Sequence, residues 1–219
     1  MAKHTAHERE SRLAFPVVVP GRALRLWASL SGLPALGSFY LAGGSGLALH
    51  LGHRQSNDLD FFARSSFRPV LLARRLTAIA SPEHLSIGEG SVECWIAGFK
   101  SQFLYYPYRL LRPLHNTKYG SLADPHDIAL MKLIAIGQRG NKRDFVDLAC
   151  FLRKFPNVSL GELLELLQRK YGSMNRAHLL RALTYFADVR SDPMPRMRWS
   201  LKWDEVERQL EEAVKDLFR

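Results

Sequence analysis

Residues 39–62 restrict the fold more than any other stretch of this chain. Phe39-Tyr40-Leu41 reads as a buried strand and is stopped by Gly43-Gly44. Ser45 to Leu51 carries Leu47, Leu49 and Leu51 and ends at Gly52, the pattern of a short helix with a glycine stop. Asp58 to Phe62 then resumes as a strand. A strand, a glycine turn, a helix and a second strand in so short a span set the two strands side by side. The glycine turn and the start of the second strand then fall at the same end.

The remaining segments fit around this unit. An amphipathic helix is expected over about Arg22–Leu33, closed by Gly32, Pro34 and Gly37, and a basic helix over Phe67–Ala80. From Glu83 to Tyr106, three apolar runs punctuated by Gly88, Gly90 and Gly98 read as a meander of strands. From about Ser121 onward the pattern is helical: 125–138, 142–155, 160–170, 176–186 and 203–218. Asp124 before Pro125 and Ser159 before Leu160 are expected caps. The fold class expected is α+β, a small mixed β-sheet flanked by helices (residues 1–115) followed by a helical domain (residues 116–219). No internal repeat is visible.

Composition excludes several classes. With 47% hydrophobic and 24% charged residues in 219, the chain has enough apolar matter for a core and is neither disordered nor fibrous. No apolar run approaches the ~20 residues of a membrane span. The N-terminus, with Lys3, His7, Glu8, Arg9, Glu10 and Arg12, lacks the apolar stretch of a signal peptide. Cys94 and Cys150 match no metal spacing, so a cytoplasmic location with reduced thiols is expected. Lys and Arg number 31 against 21 Asp and Glu, a formal charge of +10. Between Arg64 and Arg75 stand four arginines and no acid, and between Arg139 and Arg198 twelve bases and six acids. The excess fits a nucleotide or nucleic-acid partner, or equally a device for solubility.

Three constellations carry possible chemistry. Asp58 and Asp60, two apart on a strand, share a face and suit one or two Mg²⁺ ions. The bland reading is a pair of solvated acids. Gly43-Gly44-Ser45 opens a helix, where free amides and the positive dipole end favour phosphate; alone, such a turn is often just a turn. His53 to Asn57 adds a cation and polar donors in Arg54 and Ser56. The third is Asp127, Lys132, Arg139, Lys142, Arg143, Asp144 and Asp147 on two successive helices. Lys132 stands among apolar neighbours and needs a partner, while an Asp/Lys/Arg network bracing two helices is the plainer account. Arg139, Lys142 and Arg143 are expected on a surface that meets polyanions.

The segment Phe39–Phe62 resembles the first motif of the AbiEii/AbiGii-type nucleotidyltransferase toxins, members of the polymerase-β-like nucleotidyltransferase superfamily. Asp127-Ile-Ala-Leu-Met-Lys132 and Arg139-Gly-Asn-Lys-Arg-Asp144-Phe-Val-Asp147-Leu148 resemble its later motifs, and Tyr185–Pro195 is similar to shorter members. The resemblance implies that Gly43, Gly44 and Ser45, with Arg54 and Ser56, bind the nucleotide, and that Asp58 and Asp60 hold Mg²⁺ or Mn²⁺. It also implies that Lys132 contacts the nucleotide and that Asp144 is a further essential acid. An NTP substrate, an RNA acceptor such as the tRNA 3′ end, or a protein hydroxyl, and a winged-helix antitoxin as partner follow from the same resemblance.

One position departs from the superfamily pattern. Gln102 stands where a third metal-binding carboxylate is expected, and Glu93 or Asp144 are the acids able to substitute. The chain is therefore read as a Mg²⁺-dependent nucleotidyltransferase toxin, with a catalytically weakened relative that only binds nucleotide or RNA as the alternative.

Overall fold

Strand order in the single mixed sheet is β3-β4-β5-β2-β1-β7-β6 in the computed structural model, which describes residues 17–219. The charged N-terminal stretch weighed above as a missing leader lies outside those residues. In chain order the elements are α1 (Gly21–Ser31), β1 (Phe39–Leu41), α2 (Gly43–Leu51), β2 (Leu59–Ala63), α3 (Pro69–Ala80), β3 (Glu83–Gly88), β4 (Ser91–Ile96) and β5 (Phe99–Tyr105). There follow β6 (His115–Thr117), β7 (Gly120–Leu122), α4 (Pro125–Gln138), α5 (Lys142–Lys154), α6 (Leu160–Tyr171), α7 (Arg176–Thr184) and α8 (Trp203–Lys215). No helix among the described residues is long and apolar enough to cross a membrane.

The strand–turn–helix–strand unit forms as expected. β1 and β2 pair antiparallel with Leu41 opposite Phe61, so the end of β1 and the start of β2 meet. β5 joins β2 in parallel, and β4 and β3 complete the meander antiparallel. The two expected caps are also present. The Asp124 carboxylate accepts the His126 amide at 2.9 Å, and Ser159 and Glu162 form a reciprocal capping box.

Two expectations are corrected. The chain does not turn helical at Ser121, because Gly120–Leu122 forms β7, paired in parallel with β1 through Leu41 and Leu122. Leu122 is fully buried, and the β6–β7 hairpin extends the sheet across residue 115. Asp58 lies just before β2 rather than inside it.

Each face of the sheet packs differently. Leu59, Phe61, Val92, Cys94, Ile96 and Phe103 point to one side, where Leu24, Trp27 and Leu30 of α1 and Leu72, Ala73 and Leu76 of α3 share their core. On the other face Tyr40 and Phe62 pack into a second core with α4 to α8. That helical layer covers β1, β2 and the Leu104 end of β5. Asp60, two residues before Phe62 on the same face, lies where the cover ends, half-buried.

His50 ties α2 to the chain just after β7 by donating its Nε2–H to the Ala123 carbonyl at 2.8 Å. Burial pushes its imidazole down to about 4, against the pull of that carbonyl. Between pH 6.5 and 4 the unfolded chain therefore binds a proton that the folded chain does not, and stability falls as pH drops through that window. Replacing His50 with Gln, which keeps a donor, is expected to flatten the pH dependence of urea unfolding between those values.

Candidate active site

A cleft of about 270 Å³ opens where the helical layer stops, lined by Gly44, Arg54, Ser56, Asp58, Asp60, Lys100, Gln102, Lys132, Arg139, Asn141, Arg143 and Asp144. The glycine turn forms one wall. Gly43 has φ +62°, and a Cβ there would collide with Asp60 Oδ2, so only glycine lets α2 start this close to the carboxylate. A Cβ on Gly44 would come within 2.5 Å of Arg54 Nη2. The first-turn amides of α2 have no carbonyl within the helix to bond, and they stand beside Asp60 as a ready anion site.

The register places the acids and their neighbours. Asp60 pairs with Gln102, and Gln102 with Glu93. Gln102 is thus beside Asp60, where the superfamily's third carboxylate is expected. Its amide nitrogen donates to Glu93, which also takes Lys100 Nζ at 3.1 Å. With the nitrogen spent on Glu93, the amide oxygen is the group that Gln102 has left to offer the cleft. Burial raises the Asp60 carboxyl above its ordinary value, with the Asp58 charge adding to the rise and Lys132 opposing it. Asp58 is more open, with Arg143 Nη1 at 3.5 Å.

Among the described residues no group of three or more His, Cys, Asp and Glu gathers as if for a metal. The donors present are the carboxylates of Asp58 and Asp60, the Asp144 carboxylate that Lys132 holds, and the Gln102 carboxamide oxygen. All are hard oxygen ligands, and this donor set fits Mg²⁺ or Mn²⁺.

Behind the cleft lies a buried ion network centred on Asp147. Its Oδ1 accepts Arg54 Nε at 2.6 Å and its Oδ2 accepts Arg54 Nη2 at 2.9 Å, a bidentate pair. His53 Nε2 donates to Oδ1 at 2.7 Å, and Lys132 Nζ lies 2.8 Å from Oδ2. Burial alone would raise the Asp147 carboxyl, yet Arg54 and Lys132 hold it well below the usual range. Lys132 also donates to Asp144 Oδ1 at 2.7 Å. Burial works against its ammonium, but Asp147 and Asp144 together raise it above the ordinary lysine value. Asp144 Oδ2 is buried without a hydrogen bond, with Arg139 Nε 3.5 Å away. A strap from the C-terminal half closes the network: Gln55 donates its amide to the Arg196 carbonyl at 2.9 Å, and Arg198 and Trp199 donate theirs to the His53 carbonyl.

Several sequence-derived roles change in this setting. The Ser45 hydroxyl is fully buried and donates to the Asp58 carbonyl, so it fixes the turn before β2 and is not presented to the cleft. Arg54 borders the cleft but is held by Asp147, which makes it chiefly a brace. Lys142 turns away from Arg139 and Arg143. It is buried, donates to the Arg190 carbonyl at 2.8 Å and lies 4.6 Å from the Trp203 ring. Asp127 lies away from the cleft too, pairing with buried Lys170 and accepting the Leu111 and Arg112 amides. Sequence reading did not single out Lys100 or Asn141. Strand alternation from Gln102 would have placed Lys100 on the same face.

The sheet, the glycine turn facing paired carboxylates and the helical layer define a nucleotidyltransferase. A family model for the nucleotidyl transferase AbiEii toxin of type IV toxin–antitoxin systems matches residues 121–219. An uncharacterized protein of Aquifex aeolicus is 35% identical over 182 residues, which cover 81% of this chain and 87% of that one. The chain belongs to the AbiEii nucleotidyltransferase toxin family. Among solved structures, MenT4, a nucleotidyltransferase toxin of Mycobacterium tuberculosis, shares the fold with TM-score 0.57 at 13% identity, over 90% of this chain and 80% of that one. JHP933 of Helicobacter pylori does so with TM-score 0.52 at 20% identity, over 91% of this chain and 93% of that one.

Two variants separate brace from ligand. Asp147→Ala strands Arg54 and Lys132 as buried unpaired cations, and denaturant unfolding is expected to show a loss of about 3–5 kcal/mol. Lys132→Met keeps the apolar stem. If Lys132 serves the nucleotide as well as the network, calorimetric NTP affinity falls along with stability; unchanged affinity in a destabilised protein would leave it a brace alone.

Proposed function

We propose that this nucleotidyltransferase is the toxin of a toxin–antitoxin pair and moves a nucleoside monophosphate from an NTP to the terminal hydroxyl of an RNA, such as the tRNA 3′ end, or to a protein hydroxyl. The observation that carries the reading is the placement of Asp60 against the first turn of α2, with Asp58 and the Lys132 ammonium in the same cleft. In this reading the amides of Gly43, Gly44 and Ser45 take the leaving phosphates, and Ser56 offers a hydroxyl beside them. Asp58, Asp60 and the Gln102 oxygen hold Mg²⁺ or Mn²⁺. When bound, the cation neutralises charge that builds up on the α-phosphate.

Lys132 and Arg143 supply positive charge from the helical wall, while Asp144 fixes Lys132 in place. The acceptor oxygen attacks the α-phosphorus in line, the bond to the β,γ-phosphates breaks, and the acceptor's proton leaves to solvent by way of a cleft carboxylate. Arg139 and Arg143, on the outer lip, face an anionic acceptor. A winged-helix antitoxin and a cytoplasmic location complete the proposal; Cys94 and Cys150, both free and buried, are consistent with the latter.

Gln102 favours one qualification of rate. A carboxamide brings no charge to the cation, so turnover slower than with a full acid triad is expected, and in the extreme a protein that binds nucleotide without using it. Incubation of the pure protein with each labelled NTP, Mg²⁺ and total tRNA tests both readings. Asp60→Ala is expected to abolish label transfer while leaving the melting temperature unchanged or raised, because it removes one of two crowded like charges. Transfer that survives the substitution would remove Asp60 from the mechanism.

A further inference from the structure

Trp95 is a large apolar side chain that the fold does not bury. It is 41% exposed, and among the described residues no ring pairs with it. β4 meets its packing needs through Val92, Cys94 and Ile96, which enter the core shared with α3. The alternate residues Ser91, Glu93 and Trp95 therefore project on the opposite face, the one that carries Asp60 and Gln102. Trp95 pairs with Lys100, which also lines the cleft. Lys100 lies one side-chain step from Gln102, toward the end where Asp58 stands just ahead of β2, so Lys100 and Trp95 form one row across β5 and β4 at that end. Two strand spacings put β4 roughly 10 Å from β2.

The position along the sheet gives the row its meaning. The phosphate-binding amides of α2 follow β1, on one side of Asp60 in the order β4-β5-β2-β1. Trp95 lies on the other side. In-line displacement needs the attacking oxygen opposite the leaving phosphates, so the acceptor must enter over β5 and β4. There it meets an open indole face with Glu83 on one side and, on the other, the Lys100 ammonium that Glu93 holds, and, from the far lip, Arg139 and Arg143. An aromatic plate beside cations suits single-stranded nucleic acid: bases stack on the ring while the backbone stays near positive charge.

We propose that Trp95, with Lys100 beside it, is an acceptor subsite that stacks a base near the 3′ end of a single-stranded nucleic acid and so sets its terminal hydroxyl against Asp58 and Asp60. The proposal rests on the reading of the cleft as a nucleotidyl-transfer site, and it makes Trp95 a positioning residue.

The test measures binding without turnover. A labelled single-stranded RNA octamer is titrated with the full chain in the absence of divalent cation, and NTP affinity is measured separately by calorimetry. Trp95→Ala is expected to weaken RNA binding about tenfold or more, Trp95→Phe to retain most of it, and both to leave NTP affinity and melting temperature unchanged. Lys100→Ala is expected to weaken RNA binding and to reduce its salt dependence. Unchanged RNA affinity in Trp95→Ala overturns the proposal, as does a parent protein that binds NTP but no RNA, which would leave nucleotidyl transfer to a protein acceptor standing. Loss of NTP affinity in Trp95→Ala would assign the plate to the incoming nucleotide and likewise overturn it. A parent protein that binds neither ligand would instead count against the cleft reading itself.

Discussion

The buried Asp147 carboxylate holds together the three segments that make the cleft. It lies on α5, yet it binds Arg54 and His53 from the loop ahead of β2 and Lys132 from α4. Removing a carboxylate and two cations from water costs several kcal/mol per ion, and only complete pairing offsets it. Here the pairing is nearly complete: bidentate contact with Arg54, a histidine donor, and Lys132 shared with Asp144. The loop that delivers Asp58 therefore cannot shift without exposing charge in a dry interior. The strap at Arg196–Trp199, bonded to the same loop, extends the dependence to the C-terminal half.

Given that anchor, the cleft follows from the sheet. One face is covered by α1 and α3 except at the β3 edge. The other is covered over Tyr40, Phe62 and the Leu104 end of β5, because α4 to α8 pack on that side and leave the Lys100–Gln102 end of β5 bordering the cleft. Asp60 lies at this boundary, dry enough for its charge to act strongly and open enough to receive a substrate. Gln102, paired with Asp60 across the strands, sets a neutral carboxamide beside it, and the Lys100–Glu93 pair orients that group.

Several residues that look like ligands in the sequence turn out to be supports. Ser45, Arg54 and Lys142 all carry groups suited to a phosphate, and each bonds instead to the protein: to the Asp58 carbonyl, the Asp147 carboxylate and the Arg190 carbonyl. The reason is shared. A short or flexible polar side chain satisfies whichever buried partner comes within reach, and that partner comes from a distant part of the chain.

Local sequence alone determined the strand–glycine turn–helix–strand unit, the shared face of its two acids, the meander, and the caps at Asp124 and Ser159. These depend on alternation, on glycine's freedom at φ +62° and on hydrogen bonds within a few residues, all local quantities. It also put Gln102 in place of an acid. Tertiary structure decided the rest: that Gly120–Leu122 would join β1 as a strand, that Lys142 would turn inward toward Trp203, and that Asp147 rather than Asp144 would be the hub. It decided too that Trp95 would stand open on the face of Asp60. Pairing across tens of residues and the edge of a packed helical layer set these outcomes, because burial and partnership belong to the assembled chain and not to any window along it.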